Sequence, residues 1–349
     1  AASGTTGGET TVLLSDPADP YYALAEEMSQ VEGLPLYHTL DAALARDPVY
    51  LLWVVSPAHL SDEVLISFAS AVAGRPSSVS SGIISGSTLD LARALWQRAG
   101  QARGELLVIA NAENPAGHIE AEIVEIDGGE TARYPLTRSN LVRSLQRAAY
   151  FTFTGHGGSS YLRVDADTTL RQADLPALDA AVITTGSCNT FRPWETNSIA
   201  LAFVDRGAAA YAGFSYSPNE GFLFGEFDGL PVRYTWPEYP IGHVVQIQNR
   251  GAVQGFAALP YYFLLGDPRI ALQGSPPYQL AGSHSSRQAY TLDYEAAPPG
   301  VIPVRVPGGA SYPFVRVTGV GAAWRGEPFY NDRVQMLDAG GDKFVLFEH

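Results

Sequence analysis

An α/β fold with a mostly parallel sheet, followed by a small all-β sandwich, is the fold class the sequence predicts. Three observations predict it. Up to about residue 270, short apolar runs alternate with amphipathic stretches, as in strands joined by crossover helices. After Gly266-Asp267-Pro268 the prolines at 276, 277, 298, 299, 303, 307 and 313 exclude long helices while short alternating runs persist. The chain has 349 residues, more than one average domain, and 46% hydrophobic against 17% charged residues can build a packed core. The expected division is an α/β unit over 1–273, either whole or as subdomains of about 1–100 and 101–273, and a second unit over 274–349.

Taken in order, Thr11 to Ser15, Tyr50 to Val55, Glu105 to Ala110, Tyr150 to Thr154, Ala180 to Thr185 and Ala208 to Phe214 are apolar runs bounded by turn residues, the pattern of strands buried on both faces. Ser61 can cap a helix that runs through Phe68 and Val72 to a stop at Gly74, with Val64 and Leu65 on its apolar side. Ser87 can cap another, with Leu91, Leu95 and Trp96 at helical spacing and Asp90 in the first turn, where a negative charge favours the macrodipole. Further helices are expected over Leu141 to Ala148, Ser198 to Arg206 and Gly242 to Arg250. Beyond Gly274, the segments Ala289 to Tyr294, Val301 to Val306, Phe314 to Thr318, Arg333 to Leu337 and Lys343 to Phe347 read as strands of a β-sandwich.

Charge and length narrow the function. The net charge of −14 and a single lysine, Lys343, argue against a nucleic-acid partner, which needs clustered Lys and Arg. No apolar run reaches the roughly 18 residues a membrane span requires. The opening Ala1-Ala2-Ser3-Gly4, without an initiator Met, points to a removed upstream segment and to a location outside the cytoplasm. Cys188 is the only cysteine, so an intrachain disulfide framework and a multi-thiolate metal site are excluded.

Two segments carry chemistry. Tyr150-Phe151-Thr152-Phe153-Thr154-Gly155-His156-Gly157-Gly158 delivers a histidine from a strand end into a glycine-flanked loop, where open α/β sheets build active sites. Ala180-Ala181-Val182-Ile183-Thr184-Thr185-Gly186-Ser187-Cys188-Asn189 places the cysteine just beyond a second strand. Alone, the histidine can be a turn cap and the cysteine a buried small hydrophobe. On adjacent parallel strands they form a pair in which the imidazole favours the nucleophilic thiolate. Cys188 would attack a peptide carbonyl, His156 would protonate the leaving amine, and the N–H groups of Gly157 and Cys188 would hold the oxyanion.

These blocks resemble the gingipain family of cysteine peptidases, relatives of the caspases. FTFTGHGG is similar to the family's histidine motif, VITTGSCN to its nucleophile motif, and YYFLLGDPRIAL (261–272) to the segment that closes its catalytic domain. The resemblance implies a caspase-like α/β/α sandwich over 1–273 and an immunoglobulin-like sandwich after it. It further implies a secreted or cell-surface endopeptidase of protein or peptide substrates. Catalysis would need no cofactor, although a structural calcium is implied, with Asp165 and Asp167 or Asp16 and Asp19 as oxygen donors. Glu113 matches a glutamate that would orient His156, and it reads equally well as a surface-loop acid.

A preference for Arg or Lys before the cleaved bond would need a pocket carboxylate. Glu122, Glu120, Glu125 and Glu220 are candidates, with Tyr216 as a wall, although the alternation around Glu120 and Glu122 also fits a solvated strand face. The chain departs from the family at Ser187, where alanine is usual, and it lacks the caspase block Gln-Ala-Cys-x-Gly. Two other readings keep the fold: a sortase-like transpeptidase in which an amine resolves the acyl-enzyme, and an inactive surface-binding module. Oligomeric state is left open.

Overall fold

The computed structural model describes residues 11–75, 79–101, 103–112, 121–127, 130–217, 240–243, 245, 246, 249 and 261–271, together with the backbone of five strands between 279 and 348. Its first half runs β1 (Thr11–Leu14), α1 (Tyr22–Glu32), β2 (Leu36–Tyr37), α2 (Leu40–Leu44), β3 (Tyr50–Val54), α3 (Asp62–Ala73), β4 (Ser80–Ile84) and α4 (Leu89–Arg98). The second half continues with β5 (Leu107–Asn111), β6 (Glu122–Asp127), β7 (Glu130–Pro135), α5 (Arg138–Arg147), β8 (Tyr150–Thr154), β9 (Gly157–Gly158), β10 (Tyr161–Arg163) and β11 (Thr169–Arg171). It ends with β12 (Val182–Thr185), α6 (Ile199–Asp205), β13 (Ala210–Phe214) and β14 (Tyr262–Gly266).

Eleven of these strands form one sheet in the order β2-β1-β3-β4-β14-β13-β12-β8-β5-β6-β7. Pairing is parallel from β2 to β14 and again from β13 to β5. Between those blocks β13 and β14 are antiparallel, so the two halves of the sheet run in opposite directions. β5, β6 and β7 close one edge as an antiparallel meander. All six strands expected from apolar runs are present. The sheet is larger than those six because β2, β4, β6, β7 and β14 add to it: β4 opens on Ser-Ser-Gly, and β6 and β7 form an edge meander, so these three do not read as continuous apolar runs.

Helices cover both faces. Residues of α1 and α4, among them Leu24, Met28, Ala92 and Trp96, pack on Leu13, Leu52, Val54 and Ile84. Residues of α2 and α3 pack on Val12, Leu14 and Leu51. The alternation of Leu13 with Val12 and Leu14 is the two-residue period of a strand buried on both sides. The largest cluster joins α5 and α6 to Phe151, Phe153, Ile183 and Tyr211, and it reaches Leu65 and Ile83 of the first half. Each fully buried Phe or Leu here contributes roughly 1.5–3 kcal/mol.

Helix starts follow hydroxyl caps. The side chains of Thr39, Ser61, Thr88, Thr137 and Ser198 accept from backbone N–H groups in the first turns of α2, α3, α4, α5 and α6. The expectation that Ser87 caps α4 is corrected: Thr88 does so, and Ser87 donates through its hydroxyl and its backbone N–H to the Asp205 carboxylate. Residues 241–243, 245, 246 and 249 are helical within the span expected from Gly242 to Arg250. In the Gly-Asp-Pro turn after β14, the buried Asp267 carboxylate accepts from the backbone N–H and the guanidinium of Arg269, which also reaches Glu32.

Beyond residue 274, strands Gln279–Ser285 and Tyr290–Glu295 pair antiparallel, and Val301–Val306, Asp342–Glu348 and Val334–Ala339 form a second antiparallel sheet in that order. The strand at 279–285 was not expected from the sequence. The strand expected over Phe314 to Thr318 lies outside the described residues.

Candidate active site

β8 is apolar and buried between β5 and β12, with Thr152 opposite Ile109 on one side and Thr184 on the other. At its end the chain turns through Gly155, whose φ of +152° and whose missing Cβ, which would stand 2.6 Å from Cβ of Ala112, both demand glycine. His156 follows, exposed to solvent, and its carbonyl accepts from the N–H of Arg163 at 2.9 Å. Gly157 and Gly158 then pair with β10, which pairs in turn with β11. Leu162 and Leu170, both 0% exposed, anchor that hairpin in the core.

β12 delivers the cysteine. The N–H of Gly186 donates to the carbonyl of Phe153 at 2.9 Å, carrying the pairing with β8 one residue past the strand. Ser187 is fully buried, Cys188 is partly exposed, and Asn189 turns the chain at φ +54°. The floor beneath is a hydroxyl network. The Thr185 and Thr190 hydroxyls lie 2.7 Å apart, the Tyr211 hydroxyl donates to the Thr190 carbonyl, and the Tyr262 hydroxyl donates to the carbonyls of Thr185 and Ala212. Burial pushes the Tyr211 phenol up to about 12 and that of Tyr262 well above its ordinary value, so both remain neutral donors.

The two loops touch. A Cβ on Gly157 would stand 2.7 Å from Cγ2 of Thr190, 2.8 Å from Cβ of Ser187 and 3.4 Å from the carbonyl oxygen of Cys188. The backbone beside His156 therefore rests on the turn that bears the cysteine, which only a residue without a side chain permits. Past the cysteine, the N–H groups of Asn189 and Phe191 donate to the carbonyls of Tyr216 and Phe214, which fastens the segment after β13 to the same turn.

Arg192 ties these pieces together. Its Nε donates to the carbonyl of Ser215, Nη1 to Glu195 and Nη2 to Asp62, at 3.2, 2.7 and 2.8 Å. A hydrogen bond from Ser159, on the histidine loop, and the adjacent Arg192 hold the Glu195 carboxyl below the ordinary carboxylate range. Burial raises that of Asp62, with Arg192 opposing the shift. Histidine loop, cysteine turn and the segment after β13 thus share one charged tie.

Among the residues singled out from sequence, His156, Gly157 and Cys188 are brought together on neighbouring loops. Tyr216 is 49% exposed beside them, with the Arg192 guanidinium 5.8 Å from its ring centre. Glu122 begins β6 opposite Asn111, two strands from β8, and its carboxylate pairs with Arg133 at 2.5 Å. Glu125 is buried and accepts from Ser144 and Arg147. Glu113, Glu120 and Glu220 lie outside the described residues. The N–H of Ala112, just past β5, donates to the carbonyl of Thr154 at the strand end that carries His156.

Of the four aspartates considered for calcium, Asp165, Asp16 and Asp19 have carboxylates in local roles. Asp165 accepts from the N–H groups of Asp167 and Thr168 in the turn between β10 and β11. Asp16 accepts from the N–H of Ala18. The buried Asp19 carboxylate accepts from the N–H groups of Tyr21 and Ser56 and the Ser56 hydroxyl, and faces Nδ1 of His59 at 2.7 Å. Among the described residues no three His, Cys, Asp or Glu side chains group as a metal site, and no helix is long and apolar enough to cross a membrane.

Sequence reasoning missed Arg192, Glu195, Ser159 and Ser217. The Ser217 hydroxyl lies 3.1 Å from Sγ of Cys188 across 29 residues of chain. No motif marks it; only the pairing of β12 with β13 brings it there. Compared with known families, residues 110–273 match the model described as Peptidase family C25. No curated protein matches the chain.

Proposed function

We propose that the chain, whose residues 110–273 match the model of peptidase family C25, is a secreted cysteine-type endopeptidase of that gingipain family, acting through Cys188 and His156. The observation that supports the assignment of residues is the contact of the two loops at Gly157, an arrangement in which one substrate carbonyl would meet both side chains. Its substrates are proteins or peptides.

In the proposed reaction His156 takes the thiol proton of Cys188, the resulting thiolate attacks the scissile carbonyl carbon, and the negative charge passes to the carbonyl oxygen. The N–H groups of Gly157 and Cys188 are the proposed oxyanion donors, positioned before the charge develops and so costing no reorganisation. As the tetrahedral species collapses, His156 gives its proton to the amine, the C–N bond breaks and a thioester remains. His156 then takes a proton from water as the water attacks, and the thioester opens to release the acid and the sulfur. Glu113 is proposed to orient the imidazole, as the third group in catalytic triads does.

Preference for Arg or Lys before the cleaved bond rests on the family resemblance, with Glu220 or Glu120 as the pocket acid and Tyr216 as a wall. Glu122 is the weaker candidate because Arg133 already neutralises it. Residues 274–349 are read as an immunoglobulin-like sandwich, which their antiparallel pairing supports; the isolated segment should give an all-β circular-dichroism spectrum, and a helical one would reject that reading.

Incubation of the reduced protein with a mixed peptide library, with cleavage sites mapped by mass spectrometry, tests the assignment. Cys188→Ala and His156→Ala are each expected to abolish cleavage. Cleavage that survives Cys188→Ala would remove the sulfur from the mechanism, and a preferred apolar or acidic residue at the cleaved bond would overturn the basic preference.

A further inference from the structure

The segment that follows β13 does more than border the site. Ser217 places its hydroxyl oxygen 3.1 Å from Sγ of Cys188, within the range of a hydrogen bond to sulfur. The backbone leading to it is stitched to the residues that follow the cysteine. The N–H of Asn189 donates to the Tyr216 carbonyl, the N–H of Phe191 to the Phe214 carbonyl, and Nε of Arg192 to the Ser215 carbonyl. Arg192 is itself held by Glu195 and Asp62 and lies over the Tyr216 ring. A serine hydroxyl both donates and accepts, whereas a thiolate only accepts, so once the sulfur is charged the bond has a single polarity.

Resting on the reading of Cys188 as nucleophile, we infer that Ser217 is a catalytic residue whose hydroxyl donates to Sγ of Cys188 and holds the sulfur as thiolate. The bond is strong when the sulfur carries charge, before attack and again when it leaves the thioester. It weakens in the acyl-enzyme, where the sulfur is neutral. The hydroxyl therefore assists the two events in which charge appears on the sulfur, formation of the thiolate and its departure when the thioester opens. Ser217 is exposed, so water competes for the same place and the effect is moderate.

The chain has one cysteine, so alkylation by iodoacetamide reads this sulfur alone. At about pH 6, Ser217→Ala is expected to slow alkylation by about 3–10-fold, a difference that vanishes near pH 10 where every thiol is ionised. Ser217→Thr keeps the hydroxyl and should restore the rate, and equal melting temperatures should show that both variants fold. Cleavage of a peptide identified by library screening should lose a similar factor in kcat with KM little changed.

Equal or faster alkylation of Ser217→Ala at about pH 6, in an enzyme that cleaves peptides, overturns the role of Ser217 alone. A wild-type protein that cleaves no peptide under reducing conditions overturns the peptidase reading and the catalytic role with it, whatever the alkylation rates.

Discussion

Adding one methyl group at Gly157 tests the geometry on which the site depends. In Gly157→Ala the new Cβ would stand 2.7 Å from Cγ2 of Thr190 and 2.8 Å from Cβ of Ser187. Carbon atoms prefer separations of about 3.5–4.0 Å, so each contact is short by roughly 0.7–1 Å. Ser187 and Thr190 are 0% exposed, and Thr190 is bonded to Thr185 beneath, so the yielding partner is the histidine loop. Overpacking of this kind costs about 1–3 kcal/mol. For a domain of this size that lowers the melting temperature by roughly 2–10 °C.

Activity should fall further than stability. A displacement near 1 Å between reacting groups costs about a hundredfold in rate. The assay is kcat/KM on a cleaved peptide at a temperature where every variant is folded. Met28→Ala, which opens a cavity in α1 remote from the site, serves as the comparison and should lose about 2–5 kcal/mol of stability with little loss of rate. A Gly157→Ala protein with the wild-type melting temperature, or one whose rate falls no more than that of Met28→Ala, would refute the contact between the loops.

Two further outcomes follow from groups away from the sulfur. Arg103 is 8% exposed and donates to the carbonyls of Ala180, Arg98 and Ala99, so Arg103→Met should cost about 2–4 kcal/mol in chemical denaturation; an unchanged midpoint would mean that desolvation of the guanidinium cancels its bonds. The Asp165 carboxyl is held below its ordinary value of 3.8, chiefly by the N–H of Asp167 and then by Thr168. Stabilisation from a depressed carboxyl is present above the unfolded value and lost as pH falls through the folded one. The melting-temperature gap between wild type and Asp165→Asn should accordingly be constant near neutrality and shrink below about pH 4, and a gap independent of pH would contradict this.

Much of the fold was legible because its signals are local. The runs Tyr150–Thr154 and Ala180–Thr185 are apolar on both faces and end in glycine, which is sufficient to identify central strands and the loops that follow them. β4 and the β6–β7 meander were not legible: a Ser-Ser-Gly start and an edge alternation carry weak patterns that only pairing resolves. The cap of α4 turned on Asp205, 118 residues away, which engages Ser87 and leaves Thr88 to start the helix. No propensity argument contains that information.

The site divides in the same way. By itself the sequence determined that a histidine and the only cysteine each stand just past a buried strand, because strand periodicity and flanking glycines are properties of short segments. Tertiary structure alone decided that β8 and β12 are neighbours, that Gly157 rests on the cysteine turn, and that Arg192 joins Asp62 across 130 residues while Ser217 meets the sulfur across 29. The physical reason is that such contacts are set by strand order and side-chain packing, and residues brought together by strand order share no spacing along the chain.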